Sequence, residues 1–150
     1  MQGPQARRPV AAGTSIHASL VAWCRRGVLV RGDSGTGKTT LCLELMRAGG
    51  YLVADDLVRV ERCGAALYGR ATSATGLIEL RGNGIFRVAT SNGVQVSLCV
   101  ELQAVVRQER LPETDTVRLA DVAVPLLRLP AGGVATVGAV LLALHACRSR

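Results

Sequence analysis

The sequence predicts a mixed fold, α/β or α+β, and three observations carry that prediction. Short apolar runs of strand length follow one another, with only two stretches of helical length among them. A glycine-rich phosphate loop lies between one of these strands and one of these helices. With 49% apolar and 19% charged residues in 150, the chain can bury one core and is not disordered by composition. At this length one compact domain is expected, over residues 14–150, preceded by a flexible arm at residues 1–13 (MQGPQARRPVAAG).

The elements follow in order. Ile16 to Ala22 reads as a strand because it is short and apolar, and Arg25-Arg26-Gly27 as a turn. Val28-Leu29-Val30 is a buried strand running into the glycine-rich loop. Thr39 to Arg47 has helical spacing, with Leu41, Leu45 and Ala48 on one face and Leu43 and Met46 beside it; Gly49-Gly50 stops it. Tyr51 to Ala54 is a second strand that ends at Asp55-Asp56, and Leu57 to Arg62 continues extended. Cys63-Gly64 is a turn and Ala65 to Tyr68 a short strand. Thr75 to Arg81 reads as a strand or short helix leading into Arg81-Gly82-Asn83-Gly84. Val94 to Val106 has strand character, with Val96, Leu98 and Val100 alternating. Pro112 to Asp115 is a loop, Val122 to Leu129 a strand bounded by Pro125 and Pro130, and Val134 to Cys147 a C-terminal helix. No internal repeat or low-complexity segment occurs.

Composition narrows the function classes. The aromatics are 3% of the chain (Trp23, Tyr51, Tyr68 and Phe86), too few for a base-stacking platform, and no nucleic-acid motif occurs. The longest apolar run, Val134 to Ala146, is too short to span a bilayer, and Arg7-Arg8 is followed by a broken apolar stretch unlike a signal peptide. The cysteines Cys24, Cys42, Cys63, Cys99 and Cys147 are odd in number and lack CxxC spacing. With two histidines, no zinc site assembles by spacing; the expectation is reduced, mostly buried thiols in a cytoplasmic protein. The net charge of +7 comes almost wholly from arginine. Spread from Arg7 to Arg150, these arginines read first as a solvated surface, and more sharply as one that steers an acidic or phosphorylated partner.

Gly32-Asp33-Ser34-Gly35-Thr36-Gly37-Lys38-Thr39 fits the Walker A pattern G-x-x-x-x-G-K-[ST] in full. Glycines let the backbone curl so that successive N–H groups face phosphate oxygens. The helix that follows adds free N–H groups and the positive end of its dipole. Lys38, the single lysine of the chain, supplies a mobile point charge between the β- and γ-phosphates, and the Thr39 hydroxyl a ligand for Mg²⁺. The nucleotide-binding run extends through Thr40.

One helix further on, Leu52-Val53-Ala54-Asp55-Asp56 places two carboxylates at a strand end, where adjacent residues point to opposite sides. One can face a metal ion while the other faces an acceptor. His17, at the start of the first strand, is a weaker candidate, and His145 reads as structural. Glu79 and Arg81 put a carboxylate and a guanidinium in a glycine-rich segment. A serine hydroxyl would attack the γ-phosphoryl in line, with Lys38, Mg²⁺ and backbone N–H groups holding the charge and Asp55 or Asp56 accepting the proton.

Together these segments resemble the catalytic domain of bacterial HPr kinase/phosphorylase. The resemblance runs over roughly residues 15–88: His17 at its spacing before Gly32, Gly27 through Thr39 with Gly-Asp-Ser-Gly inside, Tyr51 through Val58 with its LVADD, and Ile78-Glu79-Leu80-Arg81-Gly82-Asn83-Gly84-Ile85. Thr40 stands where the family usually has Glu and Asn83 where it has Leu, and Pro130-Ala131-Gly132-Gly133 is the nearest approach to its P-G-R-N segment. The chain is similar to the short, single-domain proteobacterial versions. The resemblance implies a phosphoenolpyruvate-carboxykinase-like P-loop fold, a mixed sheet with flanking helices. It implies an ATP-dependent protein-serine kinase acting on HPr, the phosphocarrier of the phosphotransferase system, with phosphorolysis of phosphoserine in many members. It assigns Asp55 as base, His17 beside it, Thr39 and Asp56 to Mg²⁺ with help from Glu79, and Arg81 to the signature loop near the phosphates or the partner. It also implies a homo-oligomer, typically a hexamer. Two other readings stay open: a nucleotide-binding regulatory protein without phosphoryl transfer, and a P-loop small-molecule kinase.

Overall fold

A computed structural model describes residues 13–72, 76–80, 82–104, 115–131 and 136–148. The elements are β1 (Thr14–His17), β2 (Ser19–Trp23), β3 (Arg26–Gly32), α1 (Lys38–Arg47), β4 (Tyr51–Ala54), β5 (Leu57–Cys63), β6 (Ala66–Ala71), β7 (Leu77–Leu80), β8 (Gly84–Arg87), β9 (Gly93–Gln103), β10 (Asp115–Leu119), β11 (Val122–Pro130) and α2 (Thr136–Arg148). The expected mixed α/β architecture with a mixed sheet and helices against it is what forms. Among the described residues nine strands join in one sheet, ordered β1-β5-β6-β9-β3-β2-β4 with the β10–β11 hairpin attached to β9, and β7–β8 forms a separate hairpin.

The long strand β9 organises this sheet. One edge runs parallel to β3 from Val96 to Leu102. Its other edge pairs first with β6, antiparallel at Gly93 to Gln95, and then with β11, parallel from Cys99 to Gln103. Two cores result. Leu20, Leu29, Val53 and Cys99 point to one face and meet Val58, Val60 and Leu67 of β5–β6 and Leu119, Val122 and Val124 of β10–β11. Val21, Val28, Val30, Leu52, Leu98 and Val100 point to the other and meet Leu41, Cys42 and Leu45 of α1, Val140 and Leu144 of α2, and Ile78 of β7. Strands buried on both faces read as continuous apolar runs, which is why β2, β3 and β4 stand out in the sequence.

Several expected boundaries move, each for a local reason. The single strand over Ile16 to Ala22 divides at Ala18, whose N–H donates to the Asp56 carbonyl at 3.2 Å. The first turn is Cys24-Arg25, both at positive φ (48° and 62°) between paired Trp23 and Arg26, so Arg26 and Gly27 already belong to β3. Two positive-φ residues match the right-handed twist of a hairpin. Gly64-Ala65 turns between β5 and β6 one residue later than expected. Within the expected strand or short helix over Thr75 to Arg81, Leu77–Leu80 forms strand β7, while Thr75 and Arg81 lie outside the described residues; its partner β8 lacks a sequence signal because all four of its residues are exposed. Asp115 opens β10 rather than ending a loop. Pro125 lies inside β11, opposite Thr116; the parallel ladder to β9 begins one residue later at Leu126, so the missing N–H costs no rung there. Residues 1–12 of the expected arm and Pro112 lie outside the described residues. Among the described cysteines, Cys42 and Cys99 are buried while Cys24 and Cys63 are exposed, so the thiols are not mostly buried.

Candidate active site

The phosphate loop is shaped by close packing. Gly32 (φ 154°) pairs with Leu102 of β9, and a Cβ there would fall 2.6 Å from Thr36 Oγ1 and 2.9 Å from the Leu102 carbonyl. Gly35 and Gly37 turn the loop at φ 84° and 94°, a region that favours glycine. The buried Thr36 closes it: its N–H and hydroxyl both donate to the Asp33 carbonyl, at 3.2 and 2.7 Å. Gly37 caps α1 without a side-chain bond, and the first helical bond runs from the Leu41 N–H to the Gly37 carbonyl. The N–H groups before Leu41 lack intrahelical acceptors, which makes this end an anion site. Lys38 Nζ bends over the loop and donates to the carbonyls of Gly32 (2.5 Å) and Asp33 (3.1 Å). Thr39 is half-buried and Thr40 exposed in the first turn.

The sheet topology brings the carboxylates to this loop. β2 runs antiparallel to β3, which sets Ser19 opposite Val30, two residues short of the loop. β4 runs antiparallel to β2, with Ala54 opposite Leu20, so Asp55 leaves the sheet beside Ser19. The Ser19 hydroxyl donates to Asp55 Oδ1 at 2.9 Å, and the Asp56 N–H donates back to Ser19 Oγ at 3.4 Å. The chain then reverses tightly: the Leu57 N–H donates to the Asp55 carbonyl at 2.8 Å across Asp56, whose φ is 66°. A three-residue turn of this hand is rare and strained, and aspartate tolerates it better than most residues. The two carboxylates differ in setting, Asp55 half-buried on Ser19 and Asp56 exposed.

Beneath this corner lies Cys42 of α1, fully buried. Burial pushes its thiol up to about 12, and the Asp55 charge adds to the effect. A side-chain hydrogen bond with Ser19 and the Lys38 ammonium act in the opposite direction. The phosphate loop and Asp55 lie at the same end of the sheet because β3 and β4 both run antiparallel to β2. Neither Ser19 nor Cys42 is legible as functional in the sequence. The available signal is a lone serine inside an apolar strand, since a buried hydroxyl must find a partner.

The remaining candidates are placed less closely. His17 ends β1 opposite Leu57, one residue beyond Asp56, so the backbone sets it at the same corner, with its side chain exposed. Glu79 lies exposed on β7 opposite Ile85, while its neighbour Ile78 anchors the hairpin in the core beside α1. Arg81 lies outside the described residues. His145 is exposed on α2. Among the described residues no three His, Cys, Asp or Glu side chains converge as a metal site. Thr39 and the exposed Asp56 offer hard oxygen donors only; that suits Mg²⁺, which takes one or two protein oxygens and completes its shell with phosphate and water.

Comparison with known proteins agrees with this geometry. Residues 8–143 match the family described as HPr Serine kinase C-terminal domain. The chain is 38% identical over 130 residues to HPr kinase/phosphorylase of Streptococcus thermophilus, covering 78% of this chain and 42% of that protein. It is 40% identical over 129 residues to HPr kinase/phosphorylase of Limosilactobacillus reuteri, covering 77% and 40%. The chain thus spans about two-fifths of the length of these relatives. The solved structure of the Hpr(Ser) kinase/phosphatase from Coxiella burnetii superposes with a TM-score of 0.75 at 27% identity, covering 91% of this chain and 98% of that one.

Proposed function

The chain belongs to the HPr Serine kinase C-terminal domain family, and from that premise we propose that it is an ATP-dependent protein-serine kinase acting on HPr, with phosphorolysis of phosphoserine-HPr as the accompanying reaction. The observation that carries this reading is that the phosphate loop after β3 and Asp55 after β4 leave the sheet at the same end, with β2 between them and its Ser19 bonded to Asp55. The names of the relatives, kinase/phosphorylase and kinase/phosphatase, support both directions.

In the kinase direction the ATP phosphates lie on the loop N–H groups from Gly32 to Thr39. Lys38 leaves the carbonyls of Gly32 and Asp33 and turns its charge to the β- and γ-phosphates. The acceptor serine approaches from the Asp55 side. Its oxygen bonds to the γ-phosphorus as the bond to the β,γ-bridging oxygen breaks and ADP leaves. Asp55 takes the serine proton late in the transfer. Thr39 and Asp56 would hold Mg²⁺, with Glu79 assisting; when bound, the ion neutralises charge on the phosphates. His17 lies beside the base, and Arg81 acts in the signature loop. A cytoplasmic homo-oligomer, hexameric as the resemblance implies, completes the proposal. No helix among the described residues is long and apolar enough to cross a membrane.

The test is incubation with Mg-ATP and HPr, read by intact mass and site mapping, beside an HPr whose acceptor serine is replaced by alanine. One added phosphoryl group, absent from the alanine control, is the expected result. ATP binding without transfer overturns the kinase reading in favour of a nucleotide-binding regulatory protein. Added inorganic phosphate should then remove the group from phosphoserine-HPr and yield pyrophosphate.

A further inference from the structure

Ser19 is 1% exposed in a strand whose neighbours are apolar, a place where an unsatisfied hydroxyl would be costly. A serine hydroxyl has one proton to give and two lone pairs to receive with. The proton goes to Asp55 Oδ1 (2.9 Å), and one lone pair receives the Asp56 N–H (3.4 Å). The one buried hydroxyl is thus held between Asp55 and the Asp56 backbone.

We infer that Ser19 is a positioning residue for Asp55: by holding Oδ1 it fixes the carboxylate plane and leaves Oδ2 as the oxygen that meets the acceptor hydroxyl. The inference rests on the kinase reading above, in which Asp55 is the base. The bond Ser19 donates and the one it accepts both act on this placement, because the carboxylate hangs from a three-residue turn. Through the Asp56 N–H, the same hydroxyl ties down the residue assigned to Mg²⁺. Misplacing a base by about 1 Å costs on the order of a hundredfold in rate.

The test compares Ser19→Thr with Ser19→Val, which have the same volume and differ only in the hydroxyl, and adds Ser19→Ala in case the larger side chains do not fit. With HPr and Mg-ATP, the Val and Ala variants should lose about tenfold to a hundredfold in kcat with the Kd for ATP unchanged, and Thr should restore most of it. Hydrogen exchange of the Asp56 amide should quicken in Val and Ala and not in Thr, a readout that needs no transfer. Equal kcat in Thr and Val overturns the inference, as does a loss of kcat in Val that is matched in Thr. If the unmodified chain transfers nothing to HPr, the kinase reading falls and the catalytic role of Ser19 with it; altered exchange alone would then mark Ser19 as a structural tie.

Discussion

The phosphate-loop corner and the β7–β8 hairpin both sit on the helix-covered side of the central sheet, and they are held in opposite ways. At the corner, Ser19 and Thr36 are buried polar groups with partners, Gly32 backs directly onto β9, and each turn is closed by a backbone bond. Among the described residues of the hairpin Ile78 alone is buried, while Leu77, Ile85 and Phe86 are exposed, Ile85 at 68%. The segment that follows rejoins the core through Val88 and through backbone bonds, the Leu52 N–H donating to the Ala89 carbonyl and the Ser91 N–H to that of Leu52. Proton transfer tolerates little positional error, and the residues proposed for it lie where packing over-determines the backbone. An exposed apolar ribbon has the opposite property: it can change shape without disturbing the core.

The sharpest way to break this contrast is Asp55→Asn. The amide keeps the shape and can still meet Ser19, so ATP binding should persist while transfer to HPr falls about a thousandfold. Transfer at the normal rate would remove Asp55 as the base. Next in size is Lys38→Ala, which should weaken ATP about a hundredfold by removing a charge-assisted contact worth about 3 kcal/mol, read by calorimetry. Tight ATP binding by that variant would unseat the loop assignment.

A smaller effect tests how dry the corner is. The Cys42 thiol is raised from 9.0 to about 12 in the folded chain. Above pH 9 the unfolded chain releases this proton and the folded one retains it, so stability should be fully present below pH 9 and fall as pH rises towards 12. For one site the slope approaches about 1.4 kcal/mol per pH unit. Cys99, raised to about 11, contributes in the same direction. Urea midpoints between pH 8 and 10.5 should therefore show a shallower fall in Cys42→Ala than in the unmodified chain. Smallest of all is Ile85→Ser in the hairpin. Stability should change by less than about 0.5 kcal/mol and ATP affinity not at all, by thermal melting and calorimetry. A large loss of stability would mean that the hairpin is locked as firmly as the corner.

The same contrast explains which parts were legible in the sequence. The phosphate loop, α1 and the strand ending at Asp55-Asp56 are specified by local requirements: glycines at positive φ, helical spacing of Leu41 and Leu45, and apolar runs buried on both faces. The break at Ala18 was not, because its cause is a carbonyl at Asp56, distant in sequence. Ser19 reads as a polar interruption until its partner is known to lie 36 residues on. Strand β8 left no periodic trace because no face of it is buried, and β10 starts at a residue that reads as loop.

The dual pairing of β9 also bears on the order in which the molecule can be made. The residues proposed to contact the phosphates are all present in the chain by Thr40, yet the backbone of Gly32 is braced by Leu102, and β3 gains its second neighbour only when β9 pairs alongside. Chains emerge from the ribosome N-terminus first, and contacts this distant in sequence must wait for the later partner. A nascent chain lacking β9 would carry the complete Walker motif as an unsupported loop. The loop proposed to hold a nucleotide therefore gains its backing late, when residues 96–102 pair with β3.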